Sequence, residues 1–550
     1  MAIESDFRVY PNRHGRKMAA YWDRRETTSL DAPFVILAPK FGESKKNNLQ
    51  SAYYLAQNGL NVFRFDHTDH PGESAGEIAN YTFRGATEDL LDTLDYLDRT
   101  FHAREVILMA NSMSVRPAIR AAARDARVAR LISLVGMIHF QATARAVYLE
   151  DMVQLHLEGK YIDHTDILGH QVQVRRFLQG AITENMHNLE GTLNDMREAT
   201  ADFFFICGEK DTWVDPADLS HLRKSLDSLK IRWVPGAMHE LRENPKSADL
   251  AFREAVFACN HGRFSRFPSE LSQVVRPDQK EILEQNRRER ERLKKANPIV
   301  TRESAFWGRY LGKYGILEQI TDFQEYIQLL LECLGEVRAE DCILDAGCGN
   351  GLVGSFLLRR LEHQSREDDS FRPVFFGLDL TNEGLAEAMK RHSRPTASGS
   401  VDFQYLQYDL EVVGRHGRHH PIELPFDSQT FNKICCSLLV SYLNRPETFL
   451  KECYRILKPG GRIVVSSMKP HCDLSHLYTK LLEDSGSPQV VEQARDLLSA
   501  AGAIRLKEEQ GHYTFFSPKE LQKMARAAGF RGSEFYRSFG NQANLIVAAK

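Results

Sequence analysis

The feature that most constrains this chain is a pair of sharp turns, each following an apolar strand and opening a helix. The first is Ala110-Asn111-Ser112-Met113-Ser114; the second is Asp345-Ala346-Gly347-Cys348-Gly349-Asn350-Gly351. Turns of this kind sit at the carboxyl ends of strands in α/β sheets. They differ in type, and the chain's 550 residues exceed one ordinary core. The expectation is two α/β domains of roughly 250 residues each.

The strand pattern agrees. In the first half, apolar runs at Phe34–Ala38, Asn61–Asp66, Glu105–Asn111, Leu131–Gly136, Phe203–Gly208 and Ile231–Gly236 alternate with helical stretches. Short apolar runs of this kind predict a parallel sheet covered on both faces. The rhythm breaks between about Gly136 and Ala201, which reads as mainly helical. In the second half, strands are expected at Cys342–Ala346, Val374–Leu380, Phe403–Leu410, Phe431–Ser437, Arg462–Met468 and Asn544–Ala549. An excursion from His471 to His512 is long for a plain connection and reads as a substrate-covering insertion. Between the halves, the stretch from Pro277 to Pro298 is rich in Glu, Lys and Arg, with few apolar residues beyond Ile282, Leu283 and Leu293. It reads as a charged connector helix that buries little. The expected division is 1–265, a helical linker 266–300, and 301–550.

Ser112 follows an apolar strand, and Ala110 and Ser114 flank it where a G-x-S-x-G elbow has glycines. Small neighbours permit the strained turn. A serine hydroxyl needs a base, and His239 follows the last strand of this half; Asp211, after Phe203–Gly208, is suited to orient that imidazole. A serine after a strand is more often a helix N-cap, but the order Ser…Asp…His is that of α/β-hydrolases. Asp215 is the rival acid, and its place before Pro216 suits a helix cap instead. Backbone amides of Met113 and of the loop around Phe41 are the expected oxyanion donors. Residues 1 to about 260 resemble the acyltransferase (thioesterase) subunit of the bacterial bioluminescence fatty-acid reductase complex. The matching segments are Gly59–Asp66, Gly72–Gly76, Ala110–Ser114, Asn188–Leu193 and Lys210–Val214, with Lys40 and Glu43 departing from the usual pattern. The resemblance implies an α/β-hydrolase fold with a helical cap. It also implies cleavage of long-chain acyl groups from acyl carrier protein or coenzyme A.

In the second half, glycines let the backbone approach a ligand closely, and the following helix start favours an anionic group. A glycine turn alone also suits a dinucleotide. The form Asp-x-Gly-x-Gly-x-Gly, with Asp379 ending the next strand and Asp409 the third, favours S-adenosylmethionine. These stretches resemble class I S-adenosylmethionine-dependent methyltransferases, notably those that C-methylate quinones, over about residues 300–550. The implied cofactor residues are Asp345, Gly347, Gly349, Gly351, Asp379, Leu380, Asp409 and Leu410. Asp379 would accept both ribose hydroxyls, and Asp409 would meet the adenine amino group. Phe306, Trp307, Tyr310 and Tyr314 form either core packing or a lid. Tyr442, His471, Asp473 and His512 are candidate bases for the methyl acceptor, each also readable as structural.

The composition is that of a globular protein, 42% hydrophobic and 26% charged, and a net charge of −3 argues against nucleic-acid partners. Glutamates interleave Arg287, Arg288, Arg290 and Arg292, which weakens any basic patch. No apolar run approaches the ~18 residues of a membrane span. Nine cysteines without a CxxC pair, and no leader-like start, point to reduced thiols, no metal site and the cytoplasm. The expected enzyme moves an acyl group through Ser112 and methylates the product, or a related small molecule, in lipid or polyketide-like metabolism. The rivals are methylation of an aromatic or quinone-like ring, and a catalytically silent acyl-carrier docking module fused to a methyltransferase. Two self-contained series of strands further predict that a cut within the connector leaves each half working.

Overall fold

The computed structural model describes residues 2–148, 150–160, 166–297, 303–311, 314–361, 371–393, 401–410, 422–472 and 501–550. Two compact units are formed: Met1–Asn297 with Ala501–Gly511, and Pro298–Ala500 with His512–Lys550.

In the first unit the strands are β1 (Ile3–Pro11), β2 (Lys17–Arg25), β3 (Phe34–Ala38), β4 (Asn61–Phe65), β5 (Val106–Asn111) and β6 (Val128–Leu134). A small hairpin of β7 (Asp166–Ile167) and β8 (His170–Gln171) follows, then β9 (Asp202–Gly208) and β10 (Leu229–Val234). The main sheet runs β1-β2-β4-β3-β5-β6-β9-β10, the α/β-hydrolase order. From β4 onward the pairings are parallel, while β2 is antiparallel to both β1 and β4. The sheet is therefore mixed, and its leading hairpin is not among the expected strands, although β2 carries the buried run Met18–Trp22. Its first strand alternates exposed Glu4 and Asp6 with half-buried neighbours, so it carries no continuous apolar signal. Alternation also builds the core. Phe34, Ile36 and Ala38 pack on one face with Leu94, Ile119 and Phe203, whereas Val35 and Leu37 pack on the other with Leu55, Phe252 and Val256. Between β6 and β9, helices Phe140–Tyr148, Met152–Leu157, Val174–Thr183 and Leu189–Glu198 form the expected helical excursion.

The helix Gln279–Ala296 corrects the connector expectation, because it folds as part of this unit. It is held by charge as well as by apolar area, since Ile282 packs with Leu49 and Tyr53 and Leu293 is buried. Arg64, fully buried on β4, is clamped by Asp23 (2.5 Å) on one side and by Glu289 of this helix (2.5 and 2.7 Å) on the other. Arg292 bonds Glu73 at 2.7 Å and lies over the Phe7 ring. A buried guanidinium is tolerable only when such partners surround it.

The second unit has β11 (Cys342–Ala346), β12 (Val374–Asp379), β13 (Asp402–Gln407), β14 (Phe431–Cys436), β15 (Leu457–Met468), β16 (Arg531–Ser538) and β17 (Ala543–Ala549). Their order is β13-β12-β11-β14-β15-β17-β16, with β17 antiparallel to its two neighbours and the remaining pairings parallel. The order reverses beside β11, the switch point at which open α/β sheets bind ligands. Strand β16 was not foreseen: Glu534, Phe535 and Arg537 are exposed, so this edge carries little apolar pattern. Residues 501–509 of the expected insertion are helical and belong to the first unit. Asp473 lies outside the described residues.

Candidate functional site

The first site begins at the end of β5. Ser112 takes φ +50°, a left-handed conformation costly for a side-chain-bearing residue, and the helix Val115–Arg124 starts directly beyond. That strain lifts the serine out of the strand path. Its Oγ lies 2.7 Å from His239 Nε2, and His239 Nδ1 lies 3.0 and 3.1 Å from the two Asp211 oxygens. Residues far apart in sequence thus close a chain of hydrogen bonds in a buried setting. Asp211 also accepts from the Trp213 amide at 2.9 Å, which fixes its carboxylate. Asp215 instead accepts from the Ala217 amide at 2.8 Å, capping helix Pro216–Ser225. Trp213, within the Lys210–Val214 segment, stacks on the His239 ring, centroids 4.5 Å apart, a contact that spacing alone does not mark.

Met113 is the buried residue that follows the nucleophile turn, and Phe41 lies in the loop after β3. The Phe41 ring packs against Tyr81 (4.8 Å) and His170 (5.3 Å), the latter from the β7–β8 hairpin. Burial pushes His170 down to about 4 and also lowers His70, so both imidazoles are neutral at pH 7. His70 Nε2 accepts the Gly42 amide at 3.1 Å, and Gly42 has φ +80°. A Cβ at Gly42 would overlap the His170 ring, so this loop requires glycine. A small cavity of about 20 Å³ lies beside His239, among Lys40, Asn48, Asn111, Glu240 and Arg242, about the size that holds one water.

In the second unit a cavity of about 770 Å³ opens at the carboxyl ends of β11, β12 and β14. Gly347, Gly349, Asp379, Leu380, Asp409 and Leu410 line it together. The glycines have φ +74° and +53°, and Cβ atoms on them would come within 3.0–3.1 Å of Leu439 and Leu311. The backbone is thereby pressed into the cavity wall. Asp379 is buried and accepts from the Gly349 amide (2.8 Å) and from Thr381 (2.7 and 2.8 Å). This ties the glycine turn to the next strand, and Thr381 was a partner the sequence reading missed. Two expected residues are not among those lining the cavity. Asp345 is fully buried, its carboxyl pushed up to about 7 by burial, with Asp379 a lesser contribution. At Gly351, an added Cβ would meet Ala388 and His392, so its bareness serves close helix packing. Trp307, Tyr310, Tyr314 and Tyr442 form an aromatic wall of the same cavity, so the leading aromatic helix faces it in part. Phe306 packs on Trp307, whereas His471 and His512 are not among the lining residues.

Residues 13–250 match the acyl transferase family model, and residues 318–534 match a methyltransferase domain model. Among curated proteins, the acyl transferase of Photobacterium phosphoreum is 26% identical over 40% of this chain and 71% of its own length. That of Photorhabdus luminescens is 28% identical over 38% and 68%. Among solved structures, Est1E from Butyrivibrio proteoclasticus with bound ferulic acid covers 46% of this chain and 97% of its own, at 18% identity and TM-score 0.37. The esterase domain of a Rhodothermus marinus protein covers 47% and 99%, at 19% identity and TM-score 0.34. The chain is an enzyme with an acyltransferase part, matched at residues 13–250, and a methyltransferase part, matched at residues 318–534.

Proposed function

We propose that the first part transfers an acyl group from a thioester, carried on acyl carrier protein or coenzyme A, through an ester on Ser112. The observation that carries this reading is the 2.7 Å contact of Ser112 Oγ with His239, at a turn strained to φ +50°. His239 Nε2 takes the hydroxyl proton as Oγ bonds to the thioester carbonyl carbon. Asp211 keeps the imidazole oriented and stabilises its positive form. Amides of Met113 and Phe41 donate to the carbonyl oxygen as it becomes negative. When the carbon–sulfur bond breaks, the proton held by His239 passes to the departing thiolate, and water or another acceptor later repeats the steps in reverse. Trp213, stacked on the base, limits its rotation.

In this reading the second part binds S-adenosylmethionine. Gly347 and Gly349 would admit it closely, with Asp379 and Leu380 at its ribose and Asp409 and Leu410 at its base. The cradle that a Cβ would fill at both glycines fits such a group. When bound, it supplies an electrophilic methyl group. The chain's own residues orient the acceptor and exclude water, and an acceptor that is already nucleophilic needs only alignment. The acceptor is a small molecule, the released acyl product or a related intermediate of lipid or polyketide-like metabolism in the cytoplasm. The aromatic wall of Trp307, Tyr310, Tyr314 and Tyr442 favours a second reading for the acceptor, a planar aromatic or quinone-like ring.

Intact-protein mass spectrometry after mixing with long-chain acyl thioesters, with and without S-adenosylmethionine, tests both halves. The expected result is an acyl adduct confined to Ser112 and a methylated small product only with the cofactor. An adduct that survives in Ser112→Ala would remove the nucleophile assignment.

A further inference from the structure

The loop that follows β3 is unusual in its company. Glu43, Ser44, Lys45, Lys46, Asn47 and Asn48 are all buried, and buried polar groups require partners. Three sets of partners lie close by in the acyl transferase match. Toward the nucleophile turn, Ser114 Oγ donates to Pro39 O (2.5 Å) and Asn111 to Asn48 (3.2 Å). Toward the base, Arg242 donates to Glu43 (2.6 Å) and to Asn47 O (3.0 Å), and Lys40 to Glu240 (3.2 Å). Toward the end of β4, Lys45 bonds Asp66 (2.6 Å) and Glu73 (2.9 Å).

The fourth set comes from residues 501–511, whose sequence lies within the methyltransferase match but which fold with the first unit. Glu509 is fully buried and accepts from Ser44 N (3.1 Å), Ser44 Oγ (2.9 Å) and Asn47 Nδ2 (2.5 Å). Glu508 accepts from Lys46 at 2.8 Å, and Arg505 donates to Glu43 at 3.1 Å. A Cβ on Gly502 would strike the carbonyl of Gly169, in the hairpin that presents His170 to Phe41.

We propose that residues 501–511 are a positioning element of the acyl-transfer site, with Glu509 and Arg505 holding the loop that carries the Phe41 amide. The inference rests on the reading of Ser112 as nucleophile and Phe41 as oxyanion donor. Its physical basis is the steep distance dependence of such donors: losing one lowers rate by about 10²–10³-fold, and a shift of about 1 Å can cost 10²-fold. A loop so polar has little apolar grip of its own, so its place is set by these bonds. The acyl-transfer site is therefore completed by a segment more than 250 residues beyond the acyl transferase match.

The test uses the full chain with Glu509→Ala, Arg505→Met and Glu509→Gln. Two quantities are measured: labelling of Ser112 by a fluorophosphonate, and steady-state hydrolysis of a long-chain acyl thioester per titrated site. Glu509→Ala and Arg505→Met should lower kcat and the labelling rate by about 10–100-fold with KM little changed. Glu509→Gln should recover most of the rate, because its amide can pair with Asn47 once that amide turns over. Arg505 is partly exposed, so its variant keeps the test open if Glu509→Ala does not fold. Wild-type rates per titrated site in Arg505→Met overturn the positioning role, as does a change confined to KM. Failure of the wild-type chain to label at Ser112 overturns the nucleophile reading itself, and with it this inference.

Discussion

The two sites are assembled by opposite means. The candidate acyl site is closed by side chains: Ser112 bonds His239, and His239 bonds Asp211. The methyltransferase site is closed by backbone: positive-φ glycines shape a cavity of about 770 Å³, and the Asp379 carboxylate braces the turn through Gly349. Side-chain chemistry needs groups within bonding distance of each other before substrate arrives. A cofactor site needs room and a wall of donors at the right spacing. Sensitivity to substitution should therefore differ: steep and confined to rate in the first, shallow and confined to affinity in the second.

The largest expected effect lies in the first site. Ser112→Ala should lower acyl transfer by about 10³-fold or more, leaving calorimetric affinity for S-adenosylmethionine unchanged. Asp211→Asn should also lose rate, whereas Asp215→Asn, at a helix cap, should keep it; the reverse outcome would exchange their roles. Next comes Arg64→Met, which strands Asp23 and Glu289 without their buried partner. A loss of about 3–5 kcal/mol is expected for the first unit, read by urea unfolding. A loss under 1 kcal/mol would restore the view of helix Gln279–Ala296 as a connector that buries little.

Two buried groups, one in each unit, should respond oppositely to pH. His170 is buried with its pKa lowered to about 4, so the unfolded chain takes up the proton first. Its contribution is fully present above about pH 6.5 and is lost as pH falls toward 4, on the order of 3 kcal/mol. Asp345, raised to about 7, binds its proton more tightly when folded, so its contribution is present below about pH 4 and is lost as pH rises through 7. In unfolding followed across pH 4–7, His170→Gln should remove a contribution by which stability rises with pH, and Asp345→Asn one by which it falls. Equal slopes in the variants and the parent would refute this. The smallest effect is expected at Asp379→Ala, where losing a charged acceptor should weaken S-adenosylmethionine binding by about 1.5–3 kcal/mol. An unchanged dissociation constant would shift the ribose contact to another residue.

The same contrast explains what could be read before folding. Ser112, Asp211 and His239 were legible because each follows an apolar strand, in an order that only one topology brings together. The glycine turn was legible because it is contiguous. Asp345 and Gly351 show the limit, since spacing put them in the motif and packing turned them away from the cavity. Strands β1 and β16 were hidden because sheet edges facing water need no apolar run.

By itself, the sequence determined two α/β sheets, their order along the chain and the residues at each turn, because strand periodicity and turn residues are local properties. Only the tertiary structure decided which polar residues are buried with which. Arg64 meets Glu289 and Ser44 meets Glu509 across hundreds of positions, and charged residues carry no periodic mark of their partners. That is why a helix composed like a solvated connector, and a short segment of the methyltransferase sequence, both fold into the acyltransferase unit. Burial of charge is settled by pairing, and pairing is settled only when the whole chain is folded.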